Sequence, residues 1–280
     1  GVVEEYRQRV ERMRRDLQAS SGEPTFFAHN EADVVLDQTS LDEYLATRAD
    51  RLPVVRAAIS AAYVAEYGLE PAQQSCLNML LFLHLDKRRR FTPFGVFSDE
   101  RFHLVGGNDA IATNIAARLP EPVQMGMKLT QLGMNSAGEY VLQFGDEGTR
   151  VADAVVMTLP FTLLRSQEML EPSLGLSADK RRAIRTLGYG NNAKTMIAFQ
   201  GKPWLTGSGS NGSAYTNLAN VQTTWETSPM TPGAVSILTD YAGGERGRTL
   251  ALGSVQEQVA KFVADLERVY QGVAGAAVRN

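Results

Sequence analysis

Cysteine is almost missing from this chain: Cys76 is the one thiol in 280 residues. That excludes an intramolecular disulfide and any metal site built from several cysteines. Histidine is scarce as well. His29, His84 and His103 are scattered, without tight spacing to one another or to carboxylates, so a zinc centre is not expected and each reads as a packed or surface residue. Neither sign of charge is in excess. The 28 Lys and Arg against 31 Asp and Glu leave a formal net charge of -3, which lacks the basic footprint of a nucleic-acid binder. The one basic run, Lys87-Arg88-Arg89-Arg90, follows an apolar stretch and reads as a solvated helix end favoured by the helix dipole. Long hydrophobic runs are also lacking. Leu77 to Leu85 is the longest, contains Asn78 and His84, and is far short of the ~20 residues a membrane span needs. The amino terminus is charged from Glu4 onward and shows no signal-peptide pattern, so the expectation is a soluble chain of unspecified compartment. No G-x-S-x-G occurs, so there is no nucleophile elbow on which to build Ser-His-Asp chemistry.

What is present divides into helices first and strands later. Val3, Tyr6, Val10, Met13 and Leu17 recur at helical spacing, predicting an amphipathic helix that ends before Ser21-Gly22. It opens without a capping residue, which suggests that the natural chain starts earlier. Ser40-Leu41-Asp42-Glu43 is a capping box, and Pro53 and Pro71 each suit a first helical turn, giving helices near 53–67 and 71–86. A short strand over 102–105 and a helix from Asp109 through Leu119 follow. From Pro122 the apolar period shifts toward two, with turns at Asn135 to Gly138 and Gly145 to Gly148, predicting a β-meander. It leads into Asp153-Ala154-Val155-Val156-Met157-Thr158-Leu159-Pro160, an apolar run that reads as a strand buried on both faces. Ser177 caps a helix to Thr186, strands are expected near 194–200, 214–218 and 234–241, and Ser254-Val255-Gln256-Glu257 is a capping box for a last helix to Tyr270. The fold class is α/β or α+β, a helical lobe plus a mixed sheet and a β-meander segment.

Two motifs carry possible chemistry. Gly207-Ser208-Gly209-Ser210-Asn211-Gly212 matches G-x-G-x-x-G, but a phosphate cradle needs a helix to begin there, and the strand-like Ala214-Tyr215-Thr216-Asn217 follows instead. It reads as a surface loop. Lys194, set into the strand-like run Asn191 to Phe199, is different, because a desolvated ammonium costs free energy unless it has a partner or a task.

Around that lysine the chain resembles the flavin-containing amine oxidases, the family of monoamine, polyamine and L-amino-acid oxidases. The resemblance runs in order through Val105 to Ile111, Ala152 to Pro160, Leu187 to Lys194, Phe199 to Trp204, Thr224 to Ser228 and Val235 to Gly244. It implies FAD as cofactor and oxidation of a C–N bond, with hydride passing to flavin N5, hydrolysis of the imine, and dioxygen reduced to hydrogen peroxide. Lys194 would hold a water against N5, Val123, Thr158 and Pro160 would lie against the cofactor, and Asn78, Leu81, Phe82, Phe91 and Phe94 would line the substrate pocket. It also implies a division into a helical substrate-domain part (1–92), an FAD-domain segment (93–164), substrate-domain strands (165–252) and a returning helix (253–280). The family's amino-terminal glycine fingerprint and its carboxyl-terminal flavin contact are not matched, so the chain alone is expected to be inactive and colourless, with uncovered apolar faces that favour a homodimer. A desaturase or protoporphyrinogen-type oxidase, or a non-catalytic binding domain, are the alternatives. An amino-acid substrate would want an arginine clamp from among Arg51, Arg56 and Arg88 to Arg90; a polyamine would want Glu66, Glu70 or Asp86.

Overall fold

The structure, a computed structural model, describes residues 2–48, 53–84, 104, 106–165, 169–228, 233–250 and 252–278. They form two compact units, one of residues 1–99 with 190–280 and one of residues 100–189.

The first unit begins with five helices: α1 (Val2–Ala19), α2 (Glu31–Gln38), α3 (Leu41–Arg48), α4 (Pro53–Tyr67) and α5 (Cys76–His84). Helix α1 turns Met13 inward, onto a core with Leu36, Leu41, Leu45, Tyr63 and Leu80, each large apolar side chain contributing about 1.5–3 kcal/mol on burial. Helix α2, which the periodicity did not predict, is held by a reciprocal cap: Asn30 Oδ1 accepts from Asp33 N at 2.9 Å, and the Asp33 carboxylate accepts from Asn30 N at 2.9 Å. Ser40 Oγ accepts from Glu43 N at 3.1 Å, as its capping motif requires. The helix expected from Pro71 starts later. Pro71–Gln73 makes one 3-10 turn, and then Leu41 N donates to Gln74 O and Cys76 N to Thr39 O. That bridge holds residues 74–75 extended, so the α-helix opens only at Cys76.

The second unit contains α6 (Asp109–Ala116), the strands β1 (Gln131–Met134), β2 (Tyr140–Gln143) and β3 (Thr149–Ala152), then α7 (Phe161–Leu164) and α8 (Ala178–Thr186). The strands pair as an antiparallel meander in the order β1-β2-β3, and Ser177 caps α8 by accepting from Lys180 N at 3.2 Å. The buried strand expected over 153–160 is corrected. Regular pairing stops at Ala152, residues 153–160 carry no ladder, and Val156 is 89% exposed. An apolar run becomes a two-faced core strand only with strands beside it, and no described strand pairs with this one. The strand expected over 102–105 falls outside the described residues except for Leu104, which is not in a strand.

The chain then returns to the first unit through β4 (Asn192–Gln200), α9 (Pro203–Ser208), β5 (Ala214–Leu218), β6 (Val221–Glu226), β7 (Val235–Gly243), α10 (Gly244–Thr249), α11 (Val255–Leu266) and α12 (Val273–Ala276). The four strands make an antiparallel sheet in the order β4-β7-β6-β5. One face is core: Ile197, Phe199 and Leu238 pack against Trp204 of α9, Phe262 and Leu266 of α11, with the Phe199 and Trp204 rings edge-on at 5.6 Å. The Ser254 capping box of α11 forms in both directions. Both sheets being antiparallel, the architecture is the α+β branch of the expected class.

Helix α4 braces the end of this sheet by backbone contact. Asn192 Nδ2 donates to Ala65 O, Gln222 Nε2 donates to Ala61 O at 3.2 Å, and a Cβ on Gly243 would stand 1.9 Å from Val64 O. Only glycine lets β7 come that close.

Candidate functional site

The face of the sheet opposite its core collects the residues that bear chemistry. Side chains alternate across a pleated strand, so Ile197 and Phe199 pointing into the core send Lys194 and Met196 the other way. The β4–β7 register sets Lys194 opposite Tyr241 and Met196 opposite Thr239. On the next strand Trp225 lies opposite Thr239. Because Thr224 pairs with Asp240, its neighbour Thr223 falls beside Tyr241, and Thr223 in turn faces Tyr215 of β5. Lys194, Tyr241, Thr223 and Tyr215 therefore make one row across all four strands.

Lys194 is exposed, on an edge strand. The expectation of a desolvated lysine is corrected: its Nζ lies 4.8 Å from the Tyr241 ring centroid and 5.6 Å from that of Trp225. The two rings meet edge-on at 5.7 Å. Such contacts are worth about 0.5–1 kcal/mol at an exposed site, enough to hold the side chain over the sheet face. In the helical part of the unit, Tyr67 of α4 stacks on Tyr63 at 6.0 Å and meets Phe82 of α5 edge-on at 6.1 Å. Burial, reinforced by the Glu66 carboxylate, pushes the phenols of both Tyr67 and Tyr215 up to about 12.

The residues proposed from sequence are distributed unevenly. Phe82 and Leu81 are half-buried and pack on the helical core. Asn78 is exposed, and Phe91 and Phe94 lie outside the described residues. Val123, at 51% exposure, with Thr158 and Pro160, is exposed in the second unit, where Pro160 precedes α7. Trp225, Tyr241, Thr223, Tyr215 and Tyr67 were not singled out from sequence. The signal that finds them is strand alternation together with register, counted outward from Lys194.

Several candidate charges are already engaged. Arg56 pairs with Asp42 at 2.6 Å, and the Glu70 carboxylate accepts from Glu245 N at 2.9 Å. Arg51, Arg88, Arg89, Arg90 and Asp86 lie outside the described residues. On the opposite side of the sheet Asp240 is fully buried, accepts from Gln222 N and Thr223 N, and pairs with Arg246 at 3.0 Å. Burial raises its carboxyl despite the guanidinium.

The described residues offer a dinucleotide no phosphate cradle. In the Gly207 to Gly212 loop a helix ends, with Gly209 left-handed at φ 62° as its cap, and a strand follows. Before α6, Gly106 and Gly107 adopt positive φ, but the Asp109 side chain stands over that turn, 2.6 Å from where a Gly107 Cβ would lie. A carboxylate there repels phosphate. The lysine and its rings suit the ring end of a flavin; no described group suits the phosphate end. Among the described residues there is no group of His, Cys, Asp and Glu able to hold a metal, and no helix long and apolar enough to cross a membrane.

Solved structures share this fold. No curated protein matches the chain. A solved putrescine oxidase with putrescine bound superposes with TM-score 0.77 at 20% identity, covering 99% of this chain and 60% of that one. A redesigned triple mutant of putrescine oxidase gives 0.78 at 19% identity, over 98% and 58% of the two chains. Cyclohexylamine oxidase from Brevibacterium oxydans gives 0.73 at 15% identity, over 96% and 58%. The chain thus spans about 60% of the length of a solved structure it resembles. The profile of the flavin-containing amine oxidoreductases matches residues 8–279, and the chain belongs to that family.

Proposed function

We propose that this chain provides the amine-binding face of an FAD-dependent amine oxidase acting on a small amine or amino acid. The observation that carries the reading is Lys194 held over Tyr241 and Trp225 on an open sheet face, in a chain of this family. When bound, the flavin supplies the hydride acceptor for C–N oxidation, and its return by dioxygen yields hydrogen peroxide. The chain's own residues do the rest. Lys194 positions a water by donating from Nζ and offsets developing negative charge nearby. Trp225 and Tyr241 limit where that ammonium can go, and their π-faces attract a cationic amine. Val123, Thr158 and Pro160 contribute contacts to the cofactor, and the phosphate end of FAD is held by groups other than those described.

The test is direct. The purified chain alone should be colourless and inactive, whereas the flavin-loaded enzyme that includes it should release peroxide with at least one member of an amine panel. Bound yellow flavin in the isolated chain would overturn the cofactor assignment. An enzyme that oxidises C–C bonds and releases no peroxide with any amine would overturn the reaction, in favour of a desaturase-type activity.

A further inference from the structure

Met196 is 58% exposed. It lies on the same face as Lys194, two residues along β4, which puts the two Cα atoms about 7 Å apart. The other described methionines of the first unit, Met13 and Met79, are buried in the helical core at 2% and 1%. An exposed thioether gains little from packing, and what it brings to this face is its chemistry, a soft sulfur open to oxidants.

Across the sheet Met196 pairs with Thr239, and Thr239 with Trp225, in the row beside the one that holds Lys194 and Tyr241. The lysine leans between the two rows, its Nζ 4.8 Å from the Tyr241 centroid and 5.6 Å from that of Trp225. Among the described residues these rings are the ammonium's partners, and an exposed ring contact is weaker than a hydrogen bond from a charged donor to a strong acceptor. The Thr239 hydroxyl, between Met196 and Trp225, is already bonded to that of Thr227. A new acceptor at Met196 would therefore compete for the ammonium.

We propose that Met196 is oxidised to its sulfoxide by the hydrogen peroxide that the enzyme makes, and that the sulfoxide draws Lys194 off its rings and slows turnover. This rests on the amine-oxidase reading and adds to it a brake applied by the product. A sulfur lone pair attacks one peroxide oxygen, and the S–O bond forms as the O–O bond breaks. The departing hydroxide takes the proton left on the transferred oxygen and becomes water. Sulfur loses two electrons, the peroxide gains them, and no further reactant is needed. Methionine sulfoxide reductases reverse the step.

The chemistry is tested first without turnover. Dilute hydrogen peroxide added to the isolated chain should convert Met196 at least twenty-fold faster than Met13 or Met79, read by peptide mass spectrometry. With isotope-labelled lysine, the Lys194 Hε resonances should start upfield, under the two rings, and return to ordinary positions as Met196 is oxidised; in Met196→Leu they should stay upfield. In the flavin-loaded enzyme turning over an amine, with catalase clearing the bulk solution, Met196 should be oxidised while Met125, 84% exposed in the other unit, is spared. The rate should fall at least five-fold, recover with the reductases, and hold steady in Met196→Leu from the parental starting value. Slow oxidation of Met196 by added peroxide, or Lys194 resonances that ignore it, would overturn the proposal and leave the amine-oxidase reading standing. Met125 oxidised as fast as Met196 during turnover, or a Met196→Leu enzyme that slows like the parent, would also overturn it. An enzyme that releases no peroxide with any amine would remove both readings together.

Discussion

Lys194 and Tyr241 face each other across β4 and β7, and the ammonium of the first stands 4.8 Å from the ring centroid of the second. Lys194 is exposed on the face opposite the core. Replacing Lys194 by Met should therefore change stability by no more than about 0.5 kcal/mol, as for other exposed side chains. In the flavin-loaded enzyme the same change should slow the amine-driven bleaching of the flavin, or its recovery in air, by at least ten-fold. Unchanged turnover would remove Lys194 from the chemistry.

Gly243 is the tightest approach between helix and sheet. A methyl group there would sit 1.9 Å from Val64 O, with further contacts to Val64 C and Ala65 Cα at 2.7 and 3.0 Å. Since those are backbone atoms, they cannot rotate away. Gly243→Ala should destabilise the chain by about 2–4 kcal/mol, in the range of overpacking and strain. Denaturant titration checks it; a loss below about 0.5 kcal/mol would mean that α4 moves freely.

Asp240 and Arg246 give a prediction with a definite pH sense. Arg246→Met leaves a carboxylate at 0% exposure without its ion pair, and breaking such a pair costs about 3–5 kcal/mol. The folded Asp240 carboxyl already lies above its ordinary value of 3.8 because burial outweighs the guanidinium. A group raised on folding contributes stability below its unfolded pKa and loses it as pH rises through the folded value. Without Arg246 the folded value rises further. The deficit of Arg246→Met should therefore be largest near pH 7 and shrink toward pH 4, read by melting temperature across that range. A deficit that grows on acidification would contradict this account.

Cys76 is fully buried and its Sγ donates to Leu36 O at 3.0 Å. Burial, with Asp16 nearby, pushes the thiol up to about 12, so thiolate is scarce at neutral pH. Alkylation of the native chain by a neutral maleimide at pH 7.5 should be slower than that of the urea-unfolded chain by at least a hundred-fold, and should follow global unfolding. Rapid labelling of the native protein would show that the helical core opens.

The helices were legible where they announce their own ends. Ser177, Ser254 and Pro53 each satisfy a local requirement within a few residues, so no distant partner is needed to read them. Helix α2 was overlooked although Asn30 and Asp33 carry a cap of the same kind; eight residues give too little period to notice. The failure at 153–160 is of another sort. Apolar content says that a segment prefers burial, and the neighbours that would bury it are a tertiary fact. The site divides along the same line. Lys194 stood out as a single anomalous residue, whereas Tyr241, Thr223 and Tyr215 belong to it only through cross-strand register, which sequence leaves unstated.

The contact between α4 and the sheet joins residues 127 and 161 positions apart at Ala65–Asn192 and Ala61–Gln222. Everything from residue 100 to 189, a compact unit in its own right, is made between them. During synthesis α4 is therefore made long before the strands it braces, and one flank of it stays bare while the intervening unit emerges. Nascent chains stalled before β7 should recruit holdase chaperones at α4, and release should come only when Gly243 has cleared the exit tunnel.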